Sequence, residues 1–218
     1  MTEWKWGKHI ITSEEIMHDR TSRVFSTSGS VTDIVIDIET LSLRNTAAIL
    51  SIGAAAITES AEPAGLFYER IDIDSCLDKG MTIDADTLAW WFKQPTKYMN
   101  ISGGMGATDA LRNLFAWIIE LGYGKDSSAT NIWGNGPEFD NAIIINAAYR
   151  LLPKSVVNDM LWDYRRNQSV RTLWHINEML GLGVTYKYDY PSHVAVFDAI
   201  VEAKFVGEVK TKLKALVK

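Results

Sequence analysis

Asp33-Ile34-Val35-Ile36-Asp37-Ile38-Glu39-Thr40 is the stretch on which the reading of this chain turns. Its β-branched residues favour an extended backbone, and side chains alternate along a strand with period two. Asp37 and Glu39 therefore share one face, while Ile36 and Ile38 point to the other. Two carboxylates this close repel each other, and burial raises the cost of ionising both. A cation between them removes both penalties, and hard divalent ions such as Mg²⁺ prefer carboxylate oxygens. The competing reading is a sheet edge with two solvated acids, because an Asp-x-Glu spacing arises by chance roughly once in a chain of this length. Asp72/Asp74 and Asp84/Asp86 repeat the spacing and read as a solvated strand face and a helix cap. The isoleucine frame and the acids further along the chain set the first pair apart.

The 218 residues, 47% of them hydrophobic, suffice for one large domain whose core needs no staples. A single cysteine, Cys76, excludes an intramolecular disulfide and fits a buried free thiol in a reducing compartment. The longest apolar run, 47–57, is interrupted by Ser51 and Gly53 and is too short to span a bilayer. The first residues, with Glu3, Lys5, Lys8, Glu14 and Glu15, lack the apolar core of a secretory leader. These features predict a cytoplasmic protein with no membrane partner. A formal charge of −5 argues against a passive nucleic-acid coat, but not against an enzyme that admits nucleic acid through metal ions.

Ser26-Thr27-Ser28-Gly29-Ser30 has linker composition, so residues 1–30 read as a flexible N-terminal arm or linker and 31–218 as the functional domain. Within the arm, Ser13 could cap a short helix reaching Arg20. From Asp33 onward the pattern is α/β. Strands are expected at 33–38, 49–58 and 66–73, successive and without a helix between them, hence antiparallel. Helices follow around Leu88-Trp91-Phe92 and over 108–121. A short strand at 130–133 precedes helices over 138–152, 170–180 and 195–217. This order predicts a mixed sheet flanked by helices, with its first three strands antiparallel.

Further acids fall where such a sheet can use them. Gly134-Asn135-Gly136-Pro137-Glu138-Phe139-Asp140 joins the fourth strand to a helix, with glycines that permit close approach of a ligand. Asp140 stands in the first turn of that helix, where an acid also complements the helix dipole. In His193-Val194-Ala195-Val196-Phe197-Asp198 the acid opens the last helix and the histidine lies in the loop before it. Histidine exchanges protons near neutral pH. A capping histidine beside an unrelated acid is the alternative, and His9, His18 and His175 illustrate how little one histidine says.

Together, Asp37-x-Glu39, Phe139-Asp140 after a Gly-rich turn, and His193-x-Ala195-x-x-Asp198 resemble the DEDDh group of 3′→5′ exonucleases. Within that group the chain is similar to phage exonuclease A and to exodeoxyribonuclease VIII-like and RNase AS proteins. Those relatives carry segments like Thr87-Leu88-Ala89-Trp90-Trp91-Phe92-Lys93-Gln94 and an Arg-Thr pair like Arg171-Thr172. The resemblance spans about residues 31–205. It departs at Gln168-Ser169, where relatives often have Arg-Asp. It implies an RNase H-like fold with a mixed five-stranded sheet, and an exonuclease domain over 31–218.

The resemblance also implies the chemistry. Two divalent ions, Mg²⁺ or Mn²⁺, about 3.5–4 Å apart serve phosphodiester hydrolysis in such sites. Asp37, Glu39 and Asp198 would hold one ion, Asp37 would bridge to the second, and Asp140 would complete that side. His193 would act as general base; a sister group uses tyrosine one position later, which here is Val194. The implied partner is nucleic acid with a free 3′ end, single-stranded or a 3′ overhang, cleaved to nucleoside 5′-monophosphates. Thr40 and Leu41 would lie beside the terminal nucleotide, and Trp90, Trp91 and Phe139 would stack on or wall in its base. Asn135, Arg166 and Arg171 complete the expected substrate contacts, with a solvated charged face the alternative for the arginines. Phage-like kinship favours DNA over RNA. An exoribonuclease and a non-catalytic nucleic-acid-binding module on the same fold are the alternatives, and dimeric relatives make a homodimer an expectation.

Overall fold

The computed structural model describes residues 3–14, 20–94, 103–123, 130–187 and 189–217. The chain opens with a hairpin of β1 (Glu3–Trp6) and β2 (His9–Thr12), followed by β3 (Arg20–Val24). Three ten-residue strands come next: β4 (Val31–Thr40), β5 (Ile49–Thr58) and β6 (Pro63–Asp72). Then follow α1 (Ile73–Leu77), α2 (Ala85–Trp91), β7 (Met105–Gly106) and α3 (Ala107–Glu120). The second half runs β8 (Asn131–Gly134), α4 (Asp140–Leu151), α5 (Lys154–Met160), a 3-10 turn at Tyr164–Arg166, β9 (Asn167–Ser169), α6 (Val170–Met179) and α7 (Ala195–Leu216).

The sheet order is β3-β6-β5-β4-β8-β9, with β7 beside β6. β4, β5, β6 and β8 are the strands expected from the sequence: β4, β5 and β6 pair antiparallel and β8 runs parallel to β4, while the edge strand β9, which the sequence pattern does not locate, pairs parallel with β8. β3 and the two-residue β7 extend the sheet beyond five strands. Strand β5 is buried on both faces along its length, which explains why it reads as a continuous apolar run.

Helices α3 and α4 cover one face, where Ile34, Ile36 and Ile38 meet Leu111, Leu114 and Phe115. Helix α7 and the N-terminal hairpin cover the other, where Val35, Ala55 and Ile57 meet Val196, Phe197 and Ile200. Val35 thus marks the α7 side of β4, and Asp37 and Glu39, two and four positions on, face the same way. That alternation places the acid pair beside the start of α7.

Residues 3–14 and 20–24 differ from the flexible arm or linker expected of 1–30. Trp4, Trp6 and Ile11 are buried, and Trp4 packs 4.6 Å from Phe197 between ring centroids. The Tyr190 hydroxyl donates to the Lys5 carbonyl and accepts from Lys204 Nζ at 2.7 Å. Two tryptophans and an isoleucine bury enough apolar surface to offset the ordering entropy that the Ser-rich stretch after them suggested would win. The helix expected between Ser13 and Arg20 lies mostly outside the described residues. Among those described, no helix is long and apolar enough to cross a membrane.

Candidate active site

Asp37 and Glu39 lie half-buried near the C-terminal end of β4. Asp198 sits in the first turn of α7 and accepts backbone N–H bonds from His193 and Val194. The Val194 carbonyl in turn accepts from Phe197 at 2.7 Å and Asp198 at 3.2 Å, which fixes where the helix begins. His193 has φ +59°, a left-handed backbone uncommon outside glycine, and its side chain is exposed at the cavity rim. One ligand atom each from Glu39, His193 and Asp198 lies within 4.8 Å of the others, close enough to share one cation.

Asp140 is the first residue of α4, with Phe139 as its N-cap, so it lies in the first turn as expected, although the helix begins at 140 and not at 138. Its carboxylate accepts from the N–H groups of Ile38, Asn135 and Gly136. The preceding turn brings backbone against it: a side chain at Gly134 would stand 3.1 Å from Asp140 Oδ2 and 2.8 Å from Asn141 Oδ1. A residue with a side chain there would push the Asn141 amide or the Asp140 carboxylate out of place.

The electrostatics report a site short of positive charge. Burial first, then the charges of Asp140, Glu39, Glu202 and Asp198, hold the Asp37 carboxyl well above the usual range. Burial, then Asp198 and Asp140, do the same to Glu39. Burial pushes Asp140 up to about 7 despite its N–H bonds, and raises Asp198 against the pull of its N–H bonds and of His193. An all-oxygen donor set with this mutual repulsion fits a hard divalent cation.

Two cavities meet at Glu39. A cavity of about 560 Å³ is lined by Asp37, Glu39, Asn135, Tyr190, His193, Asp198 and Glu202. An apolar one of about 400 Å³ is lined by Glu39, Thr40, Leu43, Trp90, Trp91 and Phe139. Both fall in the size range of ligand sites.

The residues expected to hold substrate divide. Thr40, Phe139 and Trp91 line the apolar cavity, and Asn135 lines the acidic one. Trp91 is almost wholly buried and donates its indole N–H to the Thr40 carbonyl at 2.8 Å. Trp90, 40% exposed, offers its ring and meets His193 edge-on at 4.9 Å. Leu41 departs from expectation: β4 ends at Thr40, and the leucine turns into the core with 2% exposure. Arg171 reaches the site through Asn135, its Nε donating to Asn135 Oδ1 at 3.2 Å. Arg166, on the 3-10 turn, lines neither of these cavities.

Glu202 is the acid that motif reading passed over. It lies one helical turn beyond Asp198, and the i, i+4 spacing from Asp198 was the available signal. Tyr190 escaped for a different reason, since a loop tyrosine carries no periodic pattern.

An acid pair on a strand, joined by the leading acid of each of two helices and a loop histidine on a mixed sheet, is the arrangement of the DEDDh class of 3′→5′ exonucleases. A family model for the Rv2179c-like 3′-5′ exoribonuclease domain matches residues 32–210. The chain belongs to that family. Similar solved structures include product-bound exonuclease I, 12% identical with a TM-score of 0.56 over 86% of this chain and 46% of that one. E. coli exonuclease I with a dA16 oligonucleotide is 14% identical, TM-score 0.59, over 86% and 42%. Cell-death related nuclease 4 is 13% identical, TM-score 0.53, over 83% and 64%. At such identities the likeness is one of fold, and this chain spans less than half of either exonuclease I chain. No curated protein matches the chain significantly.

Proposed function

We propose that this protein is a divalent-metal-dependent exonuclease that removes nucleoside 5′-monophosphates from the 3′ end of a single strand or overhang, DNA before RNA. The observation that carries the reading is the convergence of Asp37, Glu39 and Asp198 on one cavity with His193 at its rim, and the buried Asp140 close enough for its charge to act on Asp37.

Glu39, Asp198 and Asp37 are the residues to hold one cation, and Asp37 with Asp140 the second. Bound divalent ions lower the pKa of attacking water and neutralise the phosphate oxygens. His193, exposed and next to Glu39 and Asp198, is placed to accept a proton from an attacking water and would serve as the general base. The N–H bonds that Asp198 accepts from His193 and Val194 hold the loop in register. The apolar cavity that begins at Glu39 receives the terminal base against Trp90 and Phe139, which sets the scissile phosphate at the acids. Asn135, which lines the acidic cavity, and Arg171, bonded to it, would meet the backbone phosphates.

RNA is the second reading, favoured by the exoribonuclease description of the family; the oligonucleotide held by exonuclease I favours DNA. Matched DNA and RNA strands, 5′-labelled and incubated with Mg²⁺, Mn²⁺ or chelator, test the proposal. Ladders shortening from the 3′ end, released monophosphates and silence in chelator are expected. Cleavage of circular strands at the same rate would overturn it.

A further inference from the structure

Glu202 has no part in the chemistry just described, yet its position is unusual for an acid. Only 5% of it is exposed, it borders the acidic cavity, and its Oε2 has no hydrogen-bond partner. The Asn135 side chain bonds the carboxylate, and Asn135 is itself held from the other side by Arg171, through Nε to Oδ1 and through the Arg171 N–H to the Asn135 carbonyl at 3.1 Å. Three elements thus cooperate to aim one carboxylate: the turn after β8, the start of α6 and the second turn of α7. An open oxygen on a buried carboxylate is costly unless something donates to it. Its charged neighbours are Asp140 and Asp198, with Arg171 the opposing cation. The arginine Nε is engaged by Asn135, and the unpartnered oxygen belongs to a carboxylate that has both acids among its charged neighbours.

We infer that Glu202 is a fifth acidic member of the cation site, held by the Arg171–Asn135 pair so that its free oxygen accepts from the hydration shell of the ion on the Asp140 side. Mg²⁺ and Mn²⁺ bound by few carboxylates retain waters, and those waters are donors that a buried acceptor can satisfy. The position also sets a spacing rule for the chain, with an acid at each of two successive turns of α7. This rests on the metal-dependent reading above, so its test separates the two.

The test is a Mn²⁺ titration of the whole chain without nucleic acid, by calorimetry or by loss of the free-ion paramagnetic resonance signal. Substituting residues that support metal ligands lowers affinity about 10- to 100-fold. Glu202→Gln should therefore weaken one of two Mn²⁺ sites by that factor and shrink the Mn²⁺-induced rise in melting temperature. Asn135→Ala, which frees the carboxylate without removing it, should weaken the same site less. Glu208→Gln, an exposed acid on the same helix, should bind Mn²⁺ as the parent does. Unchanged Mn²⁺ affinity in both Glu202→Gln and Asn135→Ala overturns the inference. A parent chain that binds Mn²⁺ but releases no nucleotides sinks the nuclease reading alone, and a parent that binds no Mn²⁺ sinks both.

Discussion

The backbone of Ala195 lies against Gly53 so closely that a β-carbon on the glycine would stand 2.1 Å from the Ala195 carbonyl carbon. Gly53 is the register partner of Asp37 on the neighbouring strand. The missing side chain therefore lets the start of α7 rest on the sheet directly beside the acid pair, which is how Asp198 comes within reach of Glu39.

Gly53→Ala should consequently damage both fold and site. The contacts are backbone atoms at 2.1, 2.2 and 2.4 Å, which cannot swing aside as a side-chain tip could. Overpacking of this kind costs about 1–3 kcal/mol or more. A clear fall in melting temperature and loss of most nuclease activity are expected. Gly106→Ala, with nothing within 4 Å of the added carbon, is the control and should melt near the parent.

Stability without metal should fall as pH rises. Burial first, then like charge, raises the folded-state pKa of Asp37, Glu39 and Glu202, and burial does the same to Asp140 and Asp198. Between about pH 4 and 7 the folded chain keeps protons that the unfolded chain has released, so climbing through that window favours unfolding. Asp140, moved from 3.8 to about 7, alone carries at most about 4 kcal/mol. In chelator the melting temperature should be lower at pH 7.5 than at 5.5. Saturating Mg²⁺ should reverse the slope, because the ion binds the ionised acids. A flat profile in chelator would argue that the acids do not share one site.

The same repulsion predicts opposite signs for stability and activity in Asp140→Asn. Removing one buried charge should raise the metal-free melting temperature at pH 7.5 and flatten its pH dependence. The rate should drop by orders of magnitude, since residues of such a group act as a unit. Equal losses of stability and activity would assign Asp140 a structural role instead.

What the sequence made legible follows from periodicity. The two-residue alternation of β4 told which face Asp37 and Glu39 share, and helix-start chemistry placed Asp140 and Asp198 in first turns. The order of strands and helices sufficed for the mixed sheet. Distant packing was not legible. Trp4 and Trp6 precede a Ser-rich stretch, and no local rule says that Trp4 docks on Phe197, nearly two hundred residues away. Leu41 and Thr40 are neighbours in sequence, yet the strand ends between them and only one lines the site. Glu202 carried a signal only once Asp198 was known to open a helix.

The hairpin at the N-terminus should tune the site as well as stabilise the fold. Tyr190 lines the acidic cavity, stacks on Phe197 at 5.3 Å and links the Lys5 carbonyl to Lys204 through its hydroxyl. Phe197 precedes Asp198, so the hairpin presses on the helix turn that carries an acid. Trp4→Ala removes the ring packed on Phe197 and should cost about 3 kcal/mol, as large core truncations do. Tyr190→Phe keeps the stack and removes the hydroxyl, at about 1 kcal/mol. If the hairpin positions the loop to His193, Tyr190→Phe should lower kcat several-fold at 25 °C, well below its melting temperature, with KM nearly unchanged. If it only stabilises, melting should shift while kcat at 25 °C stays at the parent value.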